Sequence, residues 1–325
     1  MAGDKRELPW DQKVTPLMLA PMQGLTNRAM RRILIDWVRP DTVFTEFVQV
    51  SSVSRKRIAK NDKVEAAADY GDVPLVVQLI GHSAEGLVRA AQEVAGVGAK
   101  HINLNMGCPY GRMTTGQTGG TMLKSPEKLP EILTGIRECF AGTFSVKLRA
   151  GFDDPRQVFP VLPMFEAAGV DFLILHPRIV TQKYSGKADH AITAEVVQST
   201  SLPVIANGDI FTAEYGVRVL EQTSAAGLML GRGVISDPLL FDRLRQRAEP
   251  VPGSAAKVRG LGELLQKLSE PYRQMYCGDA QVLSRLKGVL AAIEDAELME
   301  FARRMKRVKN LDSFLRQVNE AIQGC

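Results

Sequence analysis

One cysteine of this chain lies in a segment that could cover a reaction site. Cys108 follows a glycine and precedes a proline, and four more glycines continue the segment: Gly111, Gly116, Gly119 and Gly120. This composition predicts a flexible loop. An ordinary thiol is mostly protonated near pH 7, so Cys108 could act as a general acid. The alternative, a small buried hydrophobic side chain, suits Cys139 better because that cysteine lies in a helical pattern.

Lys147 and Gln78 lie within apolar runs, where a polar side chain needs a partner. A buried lysine is costly without an anion beside it, so we expect Lys147 to face one. Gln78 offers donor and acceptor atoms, which fits the imide edge of a flavin. Lys147 beside that edge would stabilise the reduced, anionic ring. His176 ends another run and could bind the ring, ribityl chain or phosphate; the alternative is a histidine buried beneath a loop.

Glycine-rich turns follow the last two apolar runs: Asn207-Gly208-Asp209 and Gly231-Arg232-Gly233. Turns of this kind commonly bind a phosphate group through main-chain N–H groups, and Arg232 would add positive charge. Either turn alone could be a tight strand-to-helix connection. The two together favour phosphate binding.

The elements that must position these residues are eight short apolar runs: Leu17–Ala20, Val43–Glu46, Leu75–Ile80, Ile102–Asn105, Phe144–Leu148, Phe172–Leu175, Val204–Ala206 and Leu228–Leu230. Helical periods separate most of them. Strands that are apolar without alternation predict a parallel sheet buried on both faces, and eight strand–helix repeats predict a (β/α)8 TIM barrel, an α/β fold. A doubly wound open sheet would show fewer strands and a GxGxxG turn, whereas Pro21-Met22-Gln23-Gly24 follows the first run.

The helical signals continue beyond the barrel pattern. Ser125 and Thr212 precede helical periods and are predicted N-caps. Residues 250–254 have the composition of a linker, and helical periods then cover Leu261–Tyr276, Ala280–Ile293 and Ala296–Ile322. We therefore predict a catalytic domain over residues 1–250 and a small α-helical domain over residues 255–325, which contains twelve Lys and Arg against nine Asp and Glu. The segment from 51 to 69 is predicted to be a loop or helix on the barrel rim.

The composition is that of an ordinary globular protein. The chain has 325 residues, 45% of them hydrophobic and 24% charged, which excludes disorder over its whole length. A net charge of +5 permits a polyanionic partner without establishing one. Four cysteines form no CxxC pair and no metal-spaced cluster with histidine, so we expect reduced thiols, no metal and a cytoplasmic location. No apolar run reaches about 18 residues, so no membrane segment is expected.

Six segments resemble the tRNA-dihydrouridine synthases: Ala20–Thr26, Gln78–Gly81, Asn105–Pro109, Val146–Arg149, Asn207–Asp209 and Gly231–Gly233. They occur in order, and the segment Asn105–Pro109 followed by Gly119-Gly120 is the most specific. The resemblance implies FMN as cofactor, NADPH as reductant, tRNA as partner, a monomeric protein, and an RNA-binding domain in the helical tail. The reaction it implies is reduction of the C5–C6 bond of a flipped-out uridine.

The resemblance also implies roles for single residues. Cys108 would be the proton donor to C5. Flavin contacts are implied for Pro21, Met22, Gln23, Gln78, Lys147, His176, Asn207, Gly208, Asp209, Gly231 and Arg232. Contacts with the uridine or the tRNA are implied for Asn105, Arg149, Arg178, Arg285 and Lys287.

Thr45-Glu46-Phe47-Val48 and the pair Arg285 and Lys287 are most similar to the bacterial C-type branch, whose target is uridine 16 in the D-loop. Three positions depart from the family: His176-Pro177-Arg178-Ile179 replaces a frequent His-Gly-Arg-Thr, Thr121 replaces alanine, and Gln49 replaces a basic residue of the C-type branch.

Two alternatives remain. One is another FMN-dependent barrel oxidoreductase, acting on a small molecule, which would explain the phosphate turns but not the basic helical tail. The other is a non-catalytic RNA-binding relative. Retention of Cys108, Lys147 and Asn207 argues against the second alternative.

Overall fold

The structure is a computed structural model that describes residues 7–50, 58–109 and 118–324. The strands of these ranges are β1 (Leu17–Leu19), β2 (Thr42–Phe44), β3 (Val48–Gln49), β4 (Leu75–Ile80), β5 (His101–Met106), β6 (Thr143–Gly151), β7 (Phe172–Ile179), β8 (Val204–Asn207) and β9 (Gly227–Leu230). They form one sheet in the order β2-β1-β9-β8-β7-β6-β5-β4-β3, and parallel pairing of β2 with β4 closes it into a ring of eight strands. The two-residue strand β3 lies beside the end of β4. The prediction of a TIM barrel is confirmed.

The strand residues are almost entirely buried, as expected for a sheet covered on both faces. The parallel register brings polar residues of neighbouring strands side by side. Gln78 lies opposite Asn103, Asn103 opposite Ser145, and Asn105 opposite Lys147. The register therefore aligns polar residues of β4, β5 and β6 in two adjacent rows.

Helices alternate with the strands: α1 (Arg28–Val38), α2 (Lys60–Ala66), α3 (Ala84–Gly96), α4 (Leu129–Cys139), α5 (Leu162–Ala167), α6 (His190–Gln198), α7 (Ala213–Thr223), α8 (Arg232–Ser236) and α9 (Leu240–Leu244). Short 3₁₀ helices cover Gly119–Lys124, Pro126–Lys128 and Pro155–Val161. Leu87 of α3 and Leu133 of α4 are fully buried in the core cluster that also contains β5 and β6 residues.

The two predicted N-caps have different outcomes. Thr212 Oγ1 accepts a hydrogen bond from the Tyr215 N–H at 3.2 Å, which confirms the cap of α7. Ser125 makes no side-chain capping bond, because the chain first forms the 3₁₀ helix Pro126–Lys128 and α4 starts only afterwards. Ser125 thus occupies the predicted N-cap position, with Pro126 at the first helical position, but of a 3₁₀ helix and without a side-chain capping bond.

The C-terminal part is helical, as predicted. It contains α10 (Ser254–Met275), α11 (Gly278–Ala291), the 3₁₀ helix Ala296–Leu298, α12 (Met299–Arg307) and α13 (Leu311–Gln323). Within the predicted helical stretch Ala296–Ile322, the helix is interrupted after Arg307. Val308 is extended, and Asn310 Oδ1 accepts from the Ser313 N–H at 2.9 Å, so a new N-cap starts α13.

The chain divides into two compact units. The first comprises Met1–Pro21, Asp41–Gly208 and Arg218–Met229, and the second comprises Met22–Pro40, Asp209–Val217 and Leu230–Cys325. Within the second unit, Asn27 Nδ2 donates to Tyr272 Oη at 3.3 Å and the Lys267 ammonium lies 5.1 Å from the Trp37 ring centroid, so α1 packs against α10. The domain boundary near residues 250–255 stays a prediction.

Some predictions fall on residues that the structure does not describe. Gly111 and Gly116 lie outside the described residues, as do residues 51–57 of the predicted rim segment. The described remainder of that segment includes helix α2. In the described ranges no helix combines the length and apolar character needed to cross a membrane.

Candidate active site

Buried amides of two neighbouring strands, β4 and β5, and a serine hydroxyl of the next strand, β6, form a row of hydrogen bonds inside the barrel. Gln78 Nε2 donates to Asn103 Oδ1 at 2.8 Å, and Asn103 Nδ2 donates to Ser145 Oγ at 2.9 Å. In the other direction, Asn105 Nδ2 donates to Gln78 Oε1 at 2.8 Å. The sequence predicted roles for Gln78 and Asn105 but missed Asn103 and Ser145, which connect this row to the next strand.

Cys108 lies directly beyond the end of β5 and is partly exposed. Asn105 Oδ1 accepts from the N–H groups of Gly107 and Cys108 at 3.0 and 3.1 Å, so the strand itself holds the cysteine. The Cys108 carbonyl accepts from the Gly120 N–H at 3.2 Å. A Cβ at Gly120 would lie 2.3 Å from Val180 Cγ2, so this contact requires glycine.

Lys147 donates to Asn207 Oδ1 at 2.9 Å, and Asn207 Nδ2 donates to the Met229 carbonyl at 2.9 Å. Part of the Lys147 side chain is accessible to solvent. Burial, and to a smaller extent the neighbouring Arg149 charge, lower its pKa to about 7, while a charge on Cys108 acts in the opposite direction. Lys147 therefore gains or loses its proton near neutral pH and lies within electrostatic reach of Cys108.

Two buried arginines hold the connection that follows β7. Arg149 donates to the carbonyls of Gly107, Ile179 and Lys183 at 3.0, 2.8 and 2.6 Å. Arg178 donates to the carbonyls of Ser185 and Gly186 at 3.2 and 2.6 Å. Both guanidinium groups thus bind main chain, and the uridine contacts implied for these arginines stay predictions.

The turn after β8 is built around Gly208, whose φ is +123°. A Cβ there would lie 3.0 Å from Ala188 Cβ and 3.2 Å from the buried His176 ring. The Gly208 carbonyl lies 3.0 Å from Nε2 of His190, whose Nδ1 lies 3.2 Å from Thr193 Oγ1. His190 starts α6, and no sequence pattern connects it with a turn eighteen residues further on.

The remaining flavin contacts implied by the resemblance are distributed as follows. Pro21 and Met22 are partly exposed and Gln23 is exposed. In the second unit, Arg232 Nη2 lies 3.3 Å from Asp209 Oδ1, and Arg232 Nη1 pairs with Glu294. The Arg232 guanidinium is thus already paired with two carboxylates.

The helical tail carries positive charge at two places. On α11, the Arg285 guanidinium lies 4.7 Å from the Tyr276 ring centroid and Lys287 Nζ donates to the Val308 carbonyl at 2.5 Å. A shallow groove of about 560 Å³ lies at α12. It is lined by three arginines, Arg303, Arg304 and Arg307, together with Glu300, Val308 and Gln317. These arginines belong to the basic run 303–309, a pattern that is by itself more typical of a solvated helix face than of a binding site.

A closed parallel barrel with a lysine, amides and a cysteine at the carboxyl ends of its strands defines the class of TIM-barrel enzymes. The fold is shared with morphinone reductase, which superposes with a TM-score of 0.53 at 13% sequence identity, over 74% of this chain and 88% of that one.

Sequence similarity identifies the family. The profile described as Dihydrouridine synthase (Dus) matches residues 18–324. A probable tRNA-dihydrouridine synthase of Rhodobacter capsulatus is 34% identical over 259 residues, which cover 79% of this chain and 78% of that protein. The chain belongs to the dihydrouridine synthase family, and the prediction of an oxidoreductase of this kind is confirmed.

The branch within the family is less sharply defined. A tRNA-dihydrouridine synthase B of Pseudomonas aeruginosa is 32% identical, covering 73% of this chain and 72% of that protein. A tRNA-dihydrouridine(16) synthase of Haemophilus influenzae is also 32% identical, covering 73% and 78%. Because the two types are equally similar, the C-type assignment stays a prediction.

Proposed function

We propose that this protein binds FMN at the barrel mouth and, with NADPH as reductant, reduces the C5–C6 double bond of a uridine in the D-loop of tRNA. The observation that carries the proposal is the placement of Cys108 beyond β5, within electrostatic reach of Lys147 on the adjacent strand β6. A thiol and a cation at neighbouring strand ends provide a proton donor and an anion-stabilising group for the same substrate.

The residues of the first unit fit a flavin. Lys147 has a pKa of about 7, so an anionic ring edge beside it would favour its charged form. Gln78 has a second N–H and further acceptor capacity beyond its bonds to Asn103 and Asn105, which suits an imide edge. Gly208 has no Cβ and lies close to the buried His176 ring, and this turn is proposed to receive the ribityl or phosphate group. When bound, FMN supplies the hydride that reduces the uracil ring at C6.

Cys108 supplies the proton that C5 requires. Its main chain is held at both N–H and carbonyl, by Asn105 and Gly120, so the thiol stands at a fixed place beyond the strand. A positioned general acid contributes about 10²–10⁴-fold to rate. Lys147 and Arg149 keep the surroundings positive, which favours build-up of negative charge on the uracil before protonation.

The proposed partner is tRNA, bound by the helical domain of residues 255–325, with residues 1–250 as the catalytic domain. Arg303, Arg304 and Arg307 line one groove of α12, and guanidinium groups suit the phosphate backbone of RNA. Arg285 and Lys287 on α11 are proposed to contact the tRNA as well. The flavin contacts of Pro21, Met22, Gln23, Asp209, Gly231 and Arg232 stay predictions.

Uridine 16 is the proposed target within the D-loop. The proposal draws on the Arg285 and Lys287 pair and on similarity to relatives named tRNA-dihydrouridine(16) synthase, such as that of Haemophilus influenzae. Mapping of dihydrouridine in tRNA from cells with and without this protein tests the position. Loss of the modification at another position would refute uridine 16 but keep the activity, and an unchanged pattern would refute both.

The role of Cys108 has its own test. Cys108→Ala should retain FMN and tRNA affinity, because the thiol is not proposed to bind either, while turnover falls about 10²-fold or more. Dihydrouridine formed per minute by the purified variant is the measurement. Cys277→Ala is the matched control, since Cys277 is exposed in the helical part, and turnover equal in the two variants would remove the general-acid assignment.

A further inference from the structure

The amides of Gln78, Asn103 and Asn105 form a chain of hydrogen bonds whose direction is fixed at one end by the cysteine loop. Asn105 Oδ1 accepts from the N–H groups of Gly107 and Cys108 at 3.0 and 3.1 Å. Because a main-chain N–H can only donate, the Asn105 amide must turn its oxygen to the loop and its nitrogen to Gln78.

The same constraint passes from residue to residue. Gln78 receives the Asn105 amide nitrogen and must therefore present Oε1, at 2.8 Å. The Gln78 nitrogen then faces Asn103 Oδ1, also at 2.8 Å. Asn103 in turn donates from Nδ2 to Ser145 Oγ at 2.9 Å. Each amide therefore has only one orientation that satisfies both neighbours.

Ser145 fixes the other end. Its hydroxyl accepts from Asn103 and donates to the Ile102 carbonyl at 3.2 Å, and a carbonyl can only accept. Both ends therefore impose the same direction on the chain. Gln78 and Asn103 are each 1% exposed and Ser145 is 0% exposed, so water cannot replace a lost partner. Reversal of one amide would leave buried donors or acceptors unsatisfied.

We propose that Ser145 and Asn103 are positioning residues of the active site. They fix which edge of the Gln78 amide faces the flavin, and through Asn105 they hold the main chain of Cys108. The Gln78 part of the inference rests on the proposed function. The Cys108 part does not require a flavin.

The test compares Ser145→Ala with Ser145→Thr, which keeps a hydroxyl. Two quantities are measured on the full-length protein: the FMN dissociation constant, by titration, and the rate of iodoacetamide alkylation at Cys108, by peptide mass spectrometry. Ser145→Ala should weaken FMN binding about tenfold, because Asn103 loses its acceptor, and should change the alkylation rate at Cys108 several-fold. Ser145→Thr should restore both values to near those of the wild type.

Thr223→Val is the matched control. Thr223 is 2% exposed, and its hydroxyl also donates to a main-chain carbonyl, that of Val219, at 2.6 Å. It takes no part in the amide chain, so both quantities should stay near the wild-type values. Equal effects of Ser145→Ala and Thr223→Val, or no rescue by Ser145→Thr in a folded protein, would overturn the inference. If the wild-type protein bound no FMN, the proposed function would fail while the alkylation rates still tested the hold on Cys108.

A second pair of variants applies if Ser145→Ala does not fold. Asn103→Asp keeps an acceptor for Gln78, whereas Asn103→Leu has none and is of similar size. We expect FMN to bind about fivefold more tightly to Asn103→Asp than to Asn103→Leu, from the loss of one buried hydrogen bond. Equal FMN affinity of these two variants would contradict the positioning role.

Discussion

Lys147→Met should stabilise the ligand-free protein at low pH and lose this advantage as the pH rises. Burial lowers the pKa of Lys147 from 10.5 to about 7. Below pH 7 the lysine is charged in both folded and unfolded states, so the folded protein bears the full cost of the buried charge. One pKa unit is about 1.4 kcal/mol, which sets an upper limit of about 5 kcal/mol for that cost.

The sign of the pH dependence follows from the proton count. Between pH 7 and 10.5 the unfolded chain keeps the proton of Lys147 while the folded protein has released it, so the stability of the wild type rises with pH. The rise is at most about 1.4 kcal/mol per pH unit. Loss of the bond to Asn207 Oδ1 subtracts about 1–3 kcal/mol from the variant at every pH. The variant should thus be more stable at pH 6, by at most about 2–4 kcal/mol, and less stable at pH 10.

Urea unfolding of both proteins at pH 6, 8 and 10 measures this difference. Lys187→Met, at an exposed lysine, is the control and should differ little from the wild type at any of the three pH values. A difference between Lys147→Met and the wild type that did not change with pH would refute the buried charge. The same variant should bind FMN more weakly, since it lacks the cation proposed to face the ring.

Two further predictions concern the phosphate turn and the tail. Gly208→Ala should lower the free energy of unfolding by about 1–3 kcal/mol and weaken FMN binding, because φ is +123° and the Cβ would crowd Ala188. Gly96→Ala is the control, since a Cβ there meets no atom within 4 Å, and it should change neither the stability nor the FMN affinity. Arg304→Ala with Arg307→Ala should weaken tRNA binding and reduce the slope of log affinity against log salt by roughly 1–2. Arg89→Ala, on α3, is the control, and an unchanged salt slope in the double variant would exclude the groove from the RNA interface.

The strands were predictable because a parallel barrel buries both faces of each strand. All eight apolar runs of the sequence coincide with barrel strands, with bounds that differ by at most four residues and agree fully for Leu75–Ile80. The row of amides could also have been found. Asn103 and Asn105 are two residues apart, as are Ser145 and Lys147, so each pair shares one face of its strand. Adjacent parallel strands with polar residues at the same spacing indicate a polar row across the sheet.

Other features depend on contacts between distant segments that leave no local pattern. His190 reaches the Gly208 carbonyl, and Arg149 reaches the carbonyls of Ile179 and Lys183. A main-chain carbonyl is present at every residue, so the sequence does not indicate which one an arginine will bind. The break between α12 and α13 could be predicted only from Asn310, a residue type that favours N-caps. Its capping bond forms only because Val308 is extended and ends α12.

The attachment of the segment after β7 has a consequence for sequence change. Arg149 and Arg178 donate hydrogen bonds to the carbonyls of Ile179, Lys183, Ser185 and Gly186, and not to side chains of the segment. Substitution of those side chains leaves the anchoring oxygens in place, provided that the positive φ at Lys183 and Gly186 can still be adopted. The side chains on the outer surface of this loop can therefore change between relatives and form new contacts. The two arginines beneath the loop still hold its main chain in the same path.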